Sequence, residues 1–481
     1  VSVVDSVKRK DLFIGGKWQK AGEYTELTSP YNNEVLYKIP SASEAEVDQA
    51  IEAADRAQKS MKKLPIHRRA EILEKLSSLL KSRKEEAAQL IAQEAAKPIA
   101  TARGEVERTI QTYKFAAEEA KQSHGEMIPL EATPGGSNRI GYTKYEPLGV
   151  IGAITPFNFP MNLVAHKVGP AIAAGNTIVL KPASQTPLSA YFLADLLEEA
   201  GLPQGALNVV TGKGRVVGNR IVEDERVDMI TFTGSPEVGK EIRRKAGLKK
   251  VTLELGSNAA LIVDEQVDID RIISRCVTGA FSFQGQVCIS LQRIYVHEDQ
   301  YDSFVKRFVK ETEQLKVGDP LKEDTDVSAL ITSQDVTRSL DWIEEAVQGG
   351  AQVAAGGKSE DNALLPTVLT NVQPDMKVSC QEVFAPIVLI DKVSSVEEGI
   401  EKVNDSRFGL QAGIYTEQVS TALDAADQLE VGGVIINDFP TFRVDNMPYG
   451  GVKESGTGKE GVKYSFEEMS QMKLVVFNRN S

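Results

Sequence analysis

Two residues in this 481-residue chain raise the question of covalent catalysis: a cysteine in GQVCIS (Gly285 to Ser290) and a glutamate in VTLELG (Val251 to Gly256). A thiol is a strong nucleophile once ionised, and burial raises a carboxyl pKa toward the range useful to a general base. Cys288 lies just beyond a helical pattern, where a thiol could be exposed at a domain junction. A plainer reading stays open for both residues. A lone cysteine is more often a small buried hydrophobe, as Cys276 inside the helical pattern 270–283 is read, and Cys380 has no better context. Glu254, between apolar neighbours near the end of an expected strand, is either a buried base or a solvent-facing strand residue.

Three loops sit where other parts of such chemistry would be held. PFNFP (Pro156 to Pro160) follows an expected strand, and its two prolines fix the loop that presents Asn158. The amide is either an oxyanion donor or one of many turn asparagines. KPAS (Lys181 to Ser184) and TGS (Thr233 to Ser235) also follow apolar strands, and the second opens a helix whose N-terminus suits a phosphate. Gly212, Gly214 and Gly218 follow another strand but do not make the GxGxxG fingerprint, so an ordinary Rossmann phosphate loop is not supported.

The elements that must position these residues follow from periodicity. Residues 12–40 alternate around Gly15 and Gly16 and predict a small peripheral antiparallel sheet. Ser43 and Glu46 form an expected capping box, and long helical patterns cover 68–93 and 100–122. After a polar stretch at 128–137, short strands at 149–154, 177–180, 207–210 and 229–232 alternate with helices such as 187–200 and 236–246. A second set begins near Thr252, with strands at 261–263 and 294–297 and helices at 270–283 and 300–315. Two tandem α/β domains with parallel sheets follow, and ligands are expected beyond the carboxyl ends of the strands. The segment Lys473 to Phe477 reads as an unpaired apolar strand able to complete a sheet in another subunit.

Composition narrows the partners. A formal net charge of -13 opposes nucleic acid and anionic membrane surfaces, and no membrane span or signal peptide is read. Three cysteines without CxxC spacing and four histidines make a disulfide scaffold or a Cys/His metal site improbable, and a cytoplasmic location is expected.

In this order the motifs resemble the aldehyde dehydrogenase superfamily over nearly the whole chain: PFNFP, KPA (Lys181 to Ala183), FTGS (Phe232 to Ser235), ELG (Glu254 to Gly256), GQVC (Gly285 to Cys288), EVFAP (Glu382 to Pro386) and PYGGVKESG (Pro448 to Gly456). The resemblance implies Cys288 as nucleophile, Asn158 and the Cys288 backbone N–H as oxyanion hole, and Glu254 as base for hydrolysing a thioester. It implies NAD or NADP as cofactor, with Thr155, Pro156, Phe157, Lys181, Ser184, Gly214, Gly218, Ser235, Leu255, Glu382 and Phe384 around it. Lys181 and Ser184 would face the adenosine ribose, Ser235 the pyrophosphate, and Glu382 the nicotinamide ribose. The implied architecture is two parallel α/β domains plus a small β arm. Residues 1–122 and 144–252 would bind cofactor, 253–447 would be catalytic, and 123–143 with 465–481 would be the arm of a homodimer or homotetramer.

Three departures from the family pattern carry information. Ser257 stands where a second glycine is usual. Ser184 stands where many NAD-specific members have a glutamate that repels a 2′-phosphate, so NADP becomes plausible. Val287 stands where members acting on phosphorylated three-carbon aldehydes often have arginine. Arg108, Arg443, Asn162 and His166 resemble the branch that oxidises lactaldehyde, glyceraldehyde-3-phosphate without phosphorylation, or phosphonoacetaldehyde. Arg108 and Arg443 are either anion ligands for a small polar or anionic aldehyde, or a solvated helix residue and a structural loop donor. Two other functions compete: a dehydrogenase passing its thioester to coenzyme A, which Glu254 argues against, and a non-catalytic member, which Cys288, Glu254, Asn158 and Lys181 together argue against.

Overall fold

The computed structural model describes residues 8–122 and 124–479. The first seven residues of the N-terminal segment read above, and residues 123, 480 and 481 of the expected arm, lie outside the described residues.

Two open sheets carry the molecule. The first runs Lys17–Gln19, Leu12–Ile14, Leu207–Val209, Thr177–Lys181, Val150–Ile154, Met229–Thr233, Lys250–Glu254 and Gly456–Thr457. Its five central strands are parallel and its two ends are closed by antiparallel pairs. Strands such as Val150–Ile154 and Met229–Thr233 are buried along their whole length, as expected where helices cover both faces. The second sheet runs Gln352–Ala355, Thr367–Thr370, Ile387–Val393, Arg293–His297, Ala260–Val263, Gln411–Tyr415 and Gly433–Ile436, parallel except at its first strand.

Register decides what the first sheet presents at its carboxyl edge. Ile154 pairs with Lys181 and with Phe232, and Thr233 pairs with Glu254. The loops after these strands therefore leave the sheet side by side, bringing Thr155–Asn158, Lys181–Ser184, Ser235 and Leu255 to one rim.

Several expectations need correction. The hairpin of Leu12–Ile14 and Lys17–Gln19 is not peripheral, because Phe13 pairs with Val209 and extends the first sheet; only Glu23–Thr28 and Val35–Ser41 form a separate ribbon. The pattern over 68–93 is two helices, Ile66–Ser82 and Lys84–Ala95, broken at Arg83. Both helices bury their apolar stripes in the same core, so the stripe continues through a one-residue break. The C-terminal strand is not unpaired either: Ser470–Asn478 pairs along nine positions with Arg139–Pro147, which also pairs with Met127–Ile128. The Ser43–Glu46 capping box forms as expected at the start of the helix Glu44–Lys63.

Candidate active site

The helix Ile269–Phe281 ends four residues earlier than Gly285, and the chain turns through three consecutive left-handed residues, Phe283 (φ 48°), Gln284 (φ 56°) and Gly285 (φ 68°). Such backbone is costly for side chains other than glycine and persists only where surroundings hold it. Here the Gln284 amide donates to the carbonyls of Ala96 and Ala329, each at 2.9 Å. At Gly285 a Cβ would lie 2.2 Å from the Ala385 carbonyl oxygen, so glycine is required there. This turn lifts Cys288 to a half-buried position between two cavities.

One cavity, of about 550 Å³, lies on the side of the first sheet's rim and is lined by Pro156, Phe157, Asn158, Ser235, Glu254, Leu255, Glu382 and Phe384 among others. The second, about 470 Å³, is lined by Arg108, Phe159, Asn162, Val287, Arg443 and Tyr449 among others. Among the described residues, Cys288 alone lines both. Its Sγ is hydrogen-bonded to the Tyr449 hydroxyl at 2.8 Å. Burial pushes the thiol up to about 11, against the Tyr449 hydrogen bond and the Arg443 charge, which favour thiolate.

Glu254 ends the strand Lys250–Glu254 with 2% exposure, and neither carboxyl oxygen has a hydrogen-bond partner. It is thus the buried alternative, not the solvent-facing one. Burial, and then the charge of Glu460, push its pKa well above the ordinary carboxyl range. Gly450 (φ +155°) lets the chain pass, since a Cβ there would lie 2.9 Å from Glu254 Oε1. Glu460 itself stays ionised: burial opposes this, but Lys167 and Arg443 bring it down to about 2. Lys167 Nζ donates to Glu460 at 2.7 Å and to the Thr231 and Thr233 hydroxyls at 3.1 and 2.9 Å.

Asn158 Nδ2 donates to the Gln286 carbonyl at 3.1 Å, which ties the PFNFP loop to the nucleophile turn. The same loop is gripped from below by Lys97, whose fully buried ammonium donates to the Asn158 carbonyl at 2.6 Å, pairs with Glu105, and lies over the Phe159 and Phe283 rings at 3.9 and 4.2 Å. Glu105 also accepts from the backbone N–H groups of Met161 and Asn162, at the start of the helix Asn162–Ala174.

On the rim side, Ser235 caps the helix Pro236–Lys245, accepting from Val238 N–H at 3.4 Å. Lys181 is buried, with only the Pro182 carbonyl as acceptor, and burial lowers its pKa to about 8. Ser184 is exposed and donates to the Gly212 carbonyl at 3.3 Å. Gly214–Gly218 forms a wide turn leading into the helix Asn219–Glu223, and a Cβ on Gly218 would meet Lys181 at 4.0 Å. The Thr155 hydroxyl is buried without a partner. Glu382 accepts from Ser257 N–H at 2.9 Å; burial raises it to about 7 although that hydrogen bond opposes the rise. The Phe384 ring (φ 51°) meets Phe157 edge-on at 5.8 Å.

On the other side, Arg108 is no free solvated residue: its Nε and Nη2 hold Asp445 at 3.2 and 2.7 Å. Arg443 pairs with Glu460 at 3.1 Å and lies 3.6 Å over the Tyr449 ring. Asn162 Nδ2 and His166 Nε2 also reach Asp445, at 2.9 and 2.8 Å.

The chain matches the model of the aldehyde dehydrogenase family over residues 18–475. It belongs to that family. It is 48% identical over 472 residues to the 3-sulfolactaldehyde dehydrogenase of Priestia aryabhattai, covering 98% of each chain. Among solved structures it is similar to aldehyde dehydrogenase 21 from Physcomitrella patens in complex with the reaction product succinate (41% identity, TM-score 0.97, 98% and 99% coverage). It is also similar to the glyceraldehyde-3-phosphate dehydrogenase of Methanocaldococcus jannaschii complexed with NADP (43%, TM-score 0.92, 95% and 100%). The chain is an aldehyde-oxidising enzyme of this α/β fold, and among the described residues no helix is long and apolar enough to cross a membrane.

Sequence reasoning missed six site residues: Lys97, Glu105, Lys167, Asp445, Tyr449 and Glu460. Tyr449 lay inside a quoted motif without a role. Asp445, Glu460 and Glu105 are charged residues among polar neighbours, whereas Lys97 in EAAKPIA and Lys167 in NLVAHKVGPAIAA interrupt apolar stretches, which was the signal available for them.

Proposed function

We propose that the chain catalyses NAD(P)-dependent oxidation of a small polar or anionic aldehyde to its carboxylic acid through a thioester on Cys288, with Glu254 as the base that releases the product. The observation that carries this reading is the position of Cys288 as the shared wall of two cavities, with unpartnered Glu254 lining one of them.

The rim-side cavity fits a dinucleotide. A helix N-terminus at Ser235 suits its diphosphate and Glu382 offers a carboxylate to ribose hydroxyls; Lys181, at the end of a neighbouring strand on the same rim though outside the cavity lining, has no carboxylate partner among the described residues. Solved relatives complexed with NADP or NAD support the same cofactor class. Bound there, the dinucleotide would take up the hydride.

The chain's own residues do the rest. The Cys288 thiolate, favoured by the Tyr449 hydroxyl and the Arg443 charge, forms the C–S bond to the aldehyde carbon. The carbonyl oxygen takes the negative charge and faces the second N–H of Asn158 and the Cys288 backbone N–H. Once the carbon is at the acyl level, Glu254 removes a proton from water, which attacks the thioester; acid leaves and the thiol is restored.

Relatives named for 3-sulfolactaldehyde and lactaldehyde, and one holding succinate, support small polar or anionic aldehydes as the substrate class. We assign cofactor binding to residues 1–122 and 144–252, catalysis to 253–447, and assembly as a homodimer or homotetramer to 123–143 with 465–481. The edge strand Ser470–Asn478, with Met472, Leu474 and Phe477 exposed, supports that arm. Three free thiols support a reducing, cytoplasmic setting.

The test is Glu254→Gln, given aldehyde and cofactor with no coenzyme A. A burst of reduced cofactor is expected, then a steady state slowed roughly 10²-fold or more, with an acyl adduct on Cys288 by mass spectrometry. In the wild type, hydrolysis should rise with pH through the elevated Glu254 pKa, because the base acts deprotonated; the variant should lose that limb. Wild-type turnover in the variant, or acid formation that requires coenzyme A, overturns the reading.

A further inference from the structure

The Cys288 cavity away from the first sheet's rim holds more donors than its neighbours use. Arg108 spends Nε and Nη2 on Asp445, and its Nη1 has no acceptor among the described residues. Arg443 spends Nη2 on Glu460, and its buried Nε is unpartnered. Two arginines from distant parts of the chain thus line one cavity while keeping N–H groups that no described residue accepts.

The charges around that space nearly cancel. The cations are Arg108, Arg443, Lys97 and Lys167; the carboxylates that offset them are Asp445, Glu460 and Glu105. Glu107 at the rim is already paired with Lys84 at 2.8 Å. His166 adds nothing, since burial and then Arg443 push its pKa below the ordinary value and leave the ring neutral. Val287, which also lines the space, adds no further charge. The guanidinium groups that line the space are each matched by a buried carboxylate, Arg108 by Asp445 and Arg443 by Glu460. A group bearing one negative charge gains the free donors of both guanidinium groups in return for its desolvation. A second negative charge would be desolvated without a partner, which is strongly unfavourable.

We propose that Asp445 is a specificity-determining residue: by cancelling the charge of Arg108 while fixing its orientation, it restricts the cavity to aldehydes with a singly charged head group, a carboxylate or sulfonate, and excludes a doubly charged phosphate ester. Asp445 is suited to this because it is 5% exposed and is held by Arg108, Asn162 and His166, so its charge stays ionised and in place. The same contacts make it a positioning residue for Arg108. The inference rests on the proposed oxidation at Cys288.

The test compares succinic semialdehyde, a monoanion, with glyceraldehyde-3-phosphate, whose phosphate takes its second charge near pH 6. The monoanion corrects for the enzyme's own titrations. In the wild type, the kcat/KM ratio of phosphate to carboxylate substrate should rise roughly tenfold or more as pH falls from 8 to 6. Asp445→Asn keeps an acceptor for Arg108 but removes the charge. At pH 8 it should raise that ratio about tenfold, chiefly through KM for the phosphate. A loss of folding alone would lower both substrates together and leave the ratio unmoved. A ratio that does not change with pH, a wild type that prefers the phosphate at pH 8, or an unchanged ratio in folded Asp445→Asn overturns the assignment. If neither aldehyde nor any other small polar aldehyde is oxidised, the underlying function is wrong instead.

Discussion

The two cavities that meet at Cys288 are built in different ways. The rim-side cavity takes one wall from chain segments that directly follow strands of one parallel sheet, such as Pro156 to Asn158 after Val150–Ile154 and Ser235 after Met229–Thr233. The opposite cavity takes polar walls from side chains held by a partner far along the chain: Arg108 and Asn162, both of which reach Asp445. The first kind is set by register, so a shift in one strand moves a whole wall. The second is set by charge pairing, so one substitution leaves a buried partner alone and disturbs the network locally.

The comparison fails at once if the two cavities do not share a reaction, and Cys288→Ser is the sharpest way to break it. A serine hydroxyl is a far weaker nucleophile with no paired base, so turnover should fall roughly 10³-fold or more. Cofactor affinity, read by fluorescence titration, should be nearly intact, because serine keeps nearly the size of the cysteine it replaces and the rest of that cavity's wall is untouched. Substantial turnover in a pure variant would remove Cys288 from the chemistry and leave two unrelated cavities.

Asn158→Ala acts on the seam between them. Its loop is tied to the nucleophile turn through Gln286 and to the interior through Lys97. The Lys97 contact uses the Asn158 backbone carbonyl and survives the substitution, so the loop should stay in place while one oxyanion donor is lost. A fall in kcat of roughly 10²-fold, with KM for aldehyde and cofactor changing much less, is expected. A change confined to either KM would mean that Asn158 only shapes a wall.

The difference between the cavities also governs what could be read in the sequence. Strand-following loops are legible because the local signals coincide: an apolar run, a proline or glycine, then a polar residue, all within about ten positions. Lys181, Ser235 and Glu254 were singled out on that pattern, and the register brings their strand ends together as an α/β sheet must. Asp445 and Glu460 have no such local signal, for a carboxylate in a polar loop looks the same whether it meets water or a buried arginine. Lys97 shows the limit most clearly. It was given no role from the sequence, and it is fully buried against two aromatic rings. The break at Arg83 was illegible for another reason, since apolar periodicity reports which face is buried and not whether the backbone is continuous.

Ser184→Glu tests the carboxyl rim of the first sheet alone, beyond the residues that line the cavity itself. Ser184 is exposed beside the Gly212 carbonyl, in the loop that follows buried Lys181. If the adenosine ribose lies there, the Ser184 hydroxyl can donate to a 2′-phosphate and the Lys181 ammonium can offset its charge, so the wild type should use NADP. The lowered Lys181 pKa, about 8, still leaves the amine mostly protonated at neutral pH, and an adjacent phosphate would favour the charged form further. Ser184→Glu sets a carboxylate against that dianion. Even in a solvated site one such contact is worth roughly 1.4 kcal/mol, so kcat/KM for NADP should fall about tenfold. Activity with NAD should be kept or improved, because a carboxylate can accept from both ribose hydroxyls. The aldehyde KM should not move, since no wall of the opposite cavity contains Ser184. An unchanged NADP-to-NAD ratio would place the ribose away from Ser184. A shift in aldehyde KM without any change in cofactor preference would show instead that the two cavities are coupled through more than Cys288.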